Sequence, residues 1–101
     1  MDSGVGGKTA IDVGLRLWRL SRKAQVIVVT HLAQVAVWAD SHYIIHKDES
    51  TDIALSTLIP LSHQERVSET ARLLSGHESS VSALRHAEEL IEEALRIRNA
   101  G

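Results

Sequence analysis

Residues 25–32 read Gln-Val-Ile-Val-Val-Thr-His-Leu, and this stretch constrains the fold more than any other part of the chain. Positions 26–29 form an unbroken run of β-branched, apolar residues, which is typical of a strand covered on both faces inside a largely parallel sheet. Polarity returns at Thr30 and His31. Ligands of open α/β sheets bind at the carboxyl ends of the strands, so His31 is a candidate site residue. The alternative is that His31 only opens the next helix, with its ring bonded to nearby backbone.

Composition narrows the class of protein. The chain has 101 residues, enough for one small domain at most. Its 11 basic and 13 acidic side chains give a net charge of −2, so no overall field attracts nucleic acid or an anionic membrane. There is no cysteine, which excludes disulfides and thiolate metal sites and fits a cytosolic protein. No apolar run approaches the length of a membrane span, and no signal-peptide pattern opens the sequence, so we expect a soluble, unexported chain.

The first seven residues, Met-Asp-Ser-Gly-Val-Gly-Gly, form a glycine-dense loop that leads directly into a helical pattern. Glycines allow the backbone to approach a phosphate or a protein partner closely. Lys8 and Thr9 after Gly7 resemble the end of a phosphate-binding loop, but the register fails because Asp2 stands where the first glycine of that motif belongs. An independent nucleotide site at Gly7, Lys8 and Thr9 remains an alternative.

Helical periodicity follows over residues 8–22. Ala10, Val13, Leu17 and Leu20 make an apolar stripe, which predicts a helix lying on a sheet. The basic residues near the end of this helix favour the negative end of the helix dipole, an explanation we prefer to a DNA-binding patch. A second, short helix is predicted from Leu32 to just before Asp40 and Ser41.

The second half of the chain predicts a hairpin and two helices. Residues 42–47 and 53–59 read as strands joined by a polar turn, and Pro60 stops the second strand. His42 and His46 share one face but lie about 13 Å apart, too far to share a metal, so we interpret both as ordinary surface or edge side chains. Ser62 and Glu65 form a capping box that opens a helix ending near Gly76. A last helix starts at Ser80 or Ser82, with ion pairs expected between Arg85 and Glu89 and between Glu92 and Arg96, and with inward residues Leu84, Ala87, Ile91, Ala94 and Leu95.

Several of these motifs together resemble a known family. Asp-Ser-Gly-Val-Gly-Gly before a helix, Val-Ile-Val-Val-Thr-His-Leu-x-Gln-Val-Ala, His-Tyr-x-x-x-Lys and Ala-Arg-Leu-Leu-Ser-Gly occur in that order. This arrangement is similar to the C-terminal end of the bacterial RecN family. Those proteins repair DNA double-strand breaks, belong to the structural-maintenance-of-chromosomes group and carry ABC-type ATPase heads. The resemblance covers residues 2–76 best.

The resemblance implies a fold and a set of site residues. The fold class would be α/β, the C-terminal part of a P-loop NTPase head, in the order helix-strand-helix-hairpin-helix-helix with an incomplete sheet. Residues 1–76 would be the head portion and residues 77–101 a C-terminal helix. His31 matches the switch histidine that reaches the γ-phosphate. The D-loop, which crosses to the partner head's nucleotide, would be Asp2, Ser3, Gly4, Val5 and Gly6.

The family's activity is expected only of a complete head. ATP and Mg would be the cofactors there, because the lysine loop, the Mg-binding aspartate and the catalytic glutamate precede this segment in the family. The chain alone is therefore expected to be inactive. The implied partners are the remainder of the head, a second head in a homodimer, and DNA through the complete protein, in the bacterial cytoplasm near the nucleoid. A small interaction module that docks on intact heads without catalysis is the alternative function.

Overall fold

A computed structural model describes residues 7–48, 55–76 and 80–100 of the chain. Within these ranges the order is helix α1 (Gly7–Ser21), helix α2 (Ala33–Ala36), strands β1 (Tyr43–Asp48) and β2 (Leu55–Pro60), and helices α3 (His63–Ser75) and α4 (Val81–Ala100). The architecture mixes α-helices with one antiparallel hairpin, which is consistent with the α/β class. No described helix is long and apolar enough to cross a membrane.

The hydrophobic core lies between the helices and not against a sheet. Trp18 of α1 and the Val37–Trp38 pair after α2 meet buried side chains of α3 and α4. Leu15, Leu74, Leu84, Leu90 and Ile97 pack around this centre. Several of the buried positions are alanines, which let helix backbones approach closely: Ala71, Ala83, Ala87 and Ala94.

Helix α1 confirms the predicted span but packs differently from the prediction. Its buried positions are Ala10, Gly14 and Trp18, whereas Val13 and Leu20 of the predicted stripe are 43% and 54% exposed. The helix contacts α2, so the prediction that it lies on a sheet is wrong for the described chain. The physical reason is the close approach at Gly14, which brings α1 against the indole of Trp38.

The predicted central strand is not formed in the described chain. Residues 25–30 belong to no helix or strand, and the sheet that is described contains β1 and β2 alone. Ile27 and Val29 are each 84% exposed, so the expectation of cover on both faces is wrong here. A strand needs backbone partners on its edges, and β1 and β2 pair with each other instead.

The hairpin and the last two helices match their predictions closely. Tyr43 pairs with Pro60 and Asp48 with Leu55, which places the end of β2 at Pro60. The turn predicted over residues 48–52 lies largely outside the described residues. Helix α3 has the predicted capping box, with Ser62 N donating to Glu65 Oε1 at 2.8 Å and Glu65 N to Ser62 Oγ at 3.2 Å, and it ends at Gly76 with φ of 80°.

Helix α4 starts as predicted and differs from its prediction in two other details. Ser80 Oγ accepts from Ala83 N at 3.3 Å, so Ser80, one of the two predicted start residues, precedes the first turn. Leu95 is 49% exposed, although it was expected to point inward. Among the described residues Arg96 pairs with Glu93, three positions away, and not with Glu92.

Candidate functional site

His31 lies at the junction between the irregular segment 25–30 and helix α2. Its side chain is exposed. The junction is shaped by a local hydrogen bond, in which Leu32 N donates to Thr30 Oγ1 at 3.0 Å. Leu32 precedes α2 with extended backbone and gives the helix no side-chain cap. His31 can therefore offer an imidazole donor to a group outside the described residues.

Helix α2 has only four residues, and its carboxyl end is held by an arginine from α3. Nη2 of Arg66 donates to three backbone carbonyls at this end: Ala36 O at 3.2 Å, Val37 O at 3.0 Å and Ala39 O at 2.8 Å. The carbonyls at the end of a helix lack partners within it, and a cation there also favours the helix dipole. Arg66 thus satisfies the end of α2 from a different element.

The environment of Arg66 is partly buried and rich in charge. Burial lowers the pKa of the Arg66 guanidinium, nearby Arg98 lowers it further, and Asp40 opposes both effects. Arg98 of α4 forms an ion pair with Asp40, which follows α2. The end of α2 is consequently tied to both α3 and α4.

Two tryptophans connect this region to α1. The rings of Trp18 and Trp38 are 6.4 Å apart between centroids and tilted by 37°. The guanidinium carbons of Arg22 and Arg98 lie 5.4 Å and 5.8 Å from the Trp18 ring centroid, within the range of cation–π attraction. Arg98 therefore contacts both the end of α1 and, through Asp40, the end of α2.

A cleft of about 300 Å³ opens between the base of the hairpin and the start of α3. His42, His63 and Arg66 are among its lining residues. Nδ1 of His42 is enclosed and has no hydrogen-bond partner among the described residues. Burial lowers the pKa of the His42 imidazole, Arg66 lowers it further, and Glu69 acts in the opposite direction. His42 is therefore less of a surface residue than its place on the strand predicted, whereas His46 is exposed as expected.

The remaining predicted site residues are not brought together with His31 in the described structure. Asp2, Ser3, Gly4, Val5 and Gly6 lie outside the described residues. Lys8 and Thr9 are exposed on the first turn of α1, which begins at Gly7. In the described part of the chain no group of three or more His, Asp or Glu side chains could hold a metal ion.

Sequence reasoning missed Arg66 and Arg98, which hold the end of α2. Both occur in helical patterns where an arginine is ordinarily a solvated surface residue. The one available signal was the position of Arg66 directly after the capping box, on the turn of α3 that a preceding hairpin brings back toward α2. Spacing along one helix does not reveal a contact with a carbonyl about 30 residues earlier, which depends on the tertiary fold.

Comparison with known proteins gives a consistent result. The chain is 49% identical over 94 residues to the DNA repair protein RecN of Streptomyces coelicolor, which covers 93% of this chain and 16% of that relative. It is 36% identical over 101 residues to RecN of Bacillus subtilis and 45% identical over 91 residues to RecN of Deinococcus radiodurans. These matches cover 100% and 90% of this chain, and 18% and 16% of the two relatives. No family profile matches the chain. The chain thus spans less than a fifth of the length of the curated relatives it matches.

Proposed function

Because the chain belongs to the RecN family of DNA repair proteins, as a C-terminal segment, we propose that it completes an ATP-hydrolysing head that acts in double-strand-break repair. In this proposal the chain contributes two elements to a pair of heads. Residues 2–6 form the D-loop at the contact between heads, and His31 is the switch histidine. The complete protein acts on DNA as a dimer in the bacterial cytoplasm, near the nucleoid.

The observation that carries the proposal is the exposure of apolar residues directly before His31. Ile27 and Val29 are each 84% exposed and Val28 is 44% exposed, although their sequence is typical of a buried strand. Val13 and Leu20 of α1 are exposed as well, on the stripe that periodicity assigned to a sheet. Both surfaces consist of apolar side chains of the kind usually buried in a protein interior. Neighbouring strands from the remainder of the head would cover them and give segment 26–29 its backbone partners.

The proposed role of His31 is electrostatic. Its exposed imidazole can donate a hydrogen bond to an oxygen of the transferred phosphoryl group, where negative charge is stabilised in the transition state. The described residues include no phosphate-binding lysine loop and no cluster of metal ligands. ATP and Mg are therefore proposed as cofactors of the complete head, in which other segments supply the groups that hold them.

A chimera tests the role of His31. The C-terminal segment of the Streptomyces coelicolor relative is replaced by this chain, and His31→Ala is compared with His46→Ala, which removes an exposed histidine of the hairpin. Loss of one preorganised donor should lower kcat about 100-fold to 1,000-fold, while ATP affinity changes little. His46→Ala should leave both quantities unchanged. Normal turnover of the His31→Ala chimera would reject the proposed role.

A non-catalytic interaction module is the second candidate function, and the separate helical core favours it. The core residues lie on α1, α3 and α4 and on the turn after α2, and none of them belongs to segment 26–29. Such a chain could fold alone and present its exposed apolar segment to an intact head. Titration of a complete RecN head with this chain, followed by sedimentation, distinguishes the two functions, because a stoichiometric complex with an already complete head favours the module.

A further inference from the structure

We propose that Arg66 is a positioning residue for His31, acting through helix α2. This inference rests on the proposed function and adds a residue from a different helix to it. Arg66 lies on α3, and its described hydrogen bonds go to carbonyls that follow His31 by five or more positions. Its effect would be transmitted by the backbone of α2, which starts two positions after His31 and ends at the carbonyls that Arg66 binds.

The first step of the argument is that α2 cannot hold its own geometry. It has four residues, about one turn or 6 Å of helix. Helices of this length are not stable in isolation, because nucleation costs more than one turn of hydrogen bonds returns. Its amino end also has no side-chain cap, since the side chain of Leu32 carries no hydrogen-bond acceptor. The geometry of α2 must therefore come from contacts with other elements.

The second step is that Arg66 is the polar contact best placed to fix it. One nitrogen of its guanidinium reaches the carbonyl oxygens of Ala36, Val37 and Ala39, which lie at and just beyond the last turn. These bonds are charge-assisted and partly shielded from water, which makes them stronger than neutral surface hydrogen bonds. The capping box fixes the start of α3, so Arg66 projects from a rigid turn.

The third step connects this end of α2 to the histidine. A rotation or partial unwinding at Ala36 would be transmitted along a single turn to Leu32 and the bond from Leu32 N to Thr30 Oγ1. His31 lies between those two residues. Misplacement of a catalytic group by about 1 Å can cost about 100-fold in rate. A loose α2 would therefore reduce turnover without removing any group that binds nucleotide.

Hydrogen exchange in the chain itself provides the first test. Arg66→Ala is compared with Arg72→Ala, an arginine of the same helix that pairs with Glu69 and has a side chain 50% exposed. Arg66→Ala should speed exchange of the amides over residues 35–39 about 10-fold or more, while α4 stays protected. Arg72→Ala should leave these rates unchanged. If the exchange rates over 35–39 do not respond to Arg66→Ala, core packing alone holds α2 and the inference is wrong.

Turnover of the chimera provides the second test, through a double-mutant cycle with His31→Ala. Arg66→Ala should lower kcat about 10-fold to 100-fold with an unchanged Kd for ATP, and Arg66→Lys should restore part of the rate. In the His31→Ala background Arg66→Ala should add no further loss, because both changes remove the same contribution. Equal losses in both backgrounds would show that Arg66 does not act through His31. Normal turnover of the single His31→Ala variant would instead reject the proposed function, and the exchange test would still decide whether Arg66 holds α2.

Discussion

At the scale of single residues, the packing of α1 on α2 depends on the absence of a side chain at Gly14. A β-carbon at this position would lie 2.6 Å from Nε1 of Trp38 and 3.0 Å from the carbonyl oxygen of Gln34. The carbonyl belongs to the backbone of α2 and the indole is only 4% exposed, so a β-carbon would require the packing of α1 on α2 to shift. The packing of α1 against α2 therefore requires glycine at position 14.

We expect Gly14→Ala to destabilise the chain. Overpacking of a core typically costs about 1–3 kcal/mol, and the higher helix propensity of alanine offsets about 1 kcal/mol of this. The net expected decrease in the free energy of unfolding is up to about 2 kcal/mol, measured by urea denaturation. Asp12→Ala on the exposed side of the same helix gives the propensity gain without a clash and should not lower stability. An increase in stability on Gly14→Ala would contradict the close approach.

The partly buried His42 predicts that the stability of the chain depends on pH. Burial lowers its pKa below the ordinary value of 6.5, so the unfolded chain binds the proton more readily than the folded chain. The stability that depends on neutral His42 is complete above about pH 6.5 and is lost as pH falls through the lower pKa of the folded state. When the pH is lowered from about 7.5 to about 5.5, the urea concentration at the unfolding midpoint should therefore decrease. His42→Gln should make this decrease smaller. His46→Gln, at an exposed position, should leave the pH dependence as it was.

At the scale of elements, local signals predicted the helices well and the packing poorly. The capping box of α3 and the serine before α4 act within a few residues, so the sequence alone locates them. The buried side of α1 depends on which element covers it. Periodicity favoured Val13 and Leu20, whereas the fold buries Gly14 and Trp18 against α2. The contact of Arg66 with α2 is tertiary as well, and for that reason sequence reasoning missed it.

The capping box yields a prediction for helix α3. Ser62→Ala removes the acceptor for Glu65 N and leaves the first turn without its cap. Loss of such a cap typically costs about 1 kcal/mol, and the destabilisation should be seen in both the urea midpoint and the exchange of the first α3 amides. Gln64→Ala changes an exposed neighbour in the same turn and serves as the control. Equal stability of the two variants would mean that the capping box does not hold the start of α3.

At the scale of the whole molecule, a buried helical core coexists with an uncovered apolar segment. The sequence of residues 26–29 is typical of a β-strand, but a strand forms only where neighbouring strands supply hydrogen-bond partners for its backbone. Exposed apolar residues beside unpaired backbone groups favour association between chains. We therefore expect this surface, and not the core, to determine how the isolated chain behaves in solution.

We expect the isolated chain to self-associate at micromolar concentration through residues 26–29. Ile27→Lys should shift sedimentation toward monomer, because it places a charge at a residue that is 84% exposed. Val81→Lys is the control, since Val81 is also an exposed apolar residue, 72% exposed, and lies on α4. Association that responds equally to both substitutions would indicate a general solubility effect. A monomeric unsubstituted chain with a cooperative melt above about 60 °C would contradict the prediction and favour the interaction module.

The two tryptophans and the single tyrosine can serve as intrinsic fluorescent probes of different parts of the chain. Both tryptophans lie in the helical core, 7% and 4% exposed, and the single tyrosine, Tyr43, lies on the hairpin and is 50% exposed. Indole emission will therefore shift to longer wavelengths when the helices separate. Tyrosine emission will follow the hairpin. Two fluorophores in one unlabelled chain thus allow loss of the core and detachment of the hairpin to be resolved as separate events.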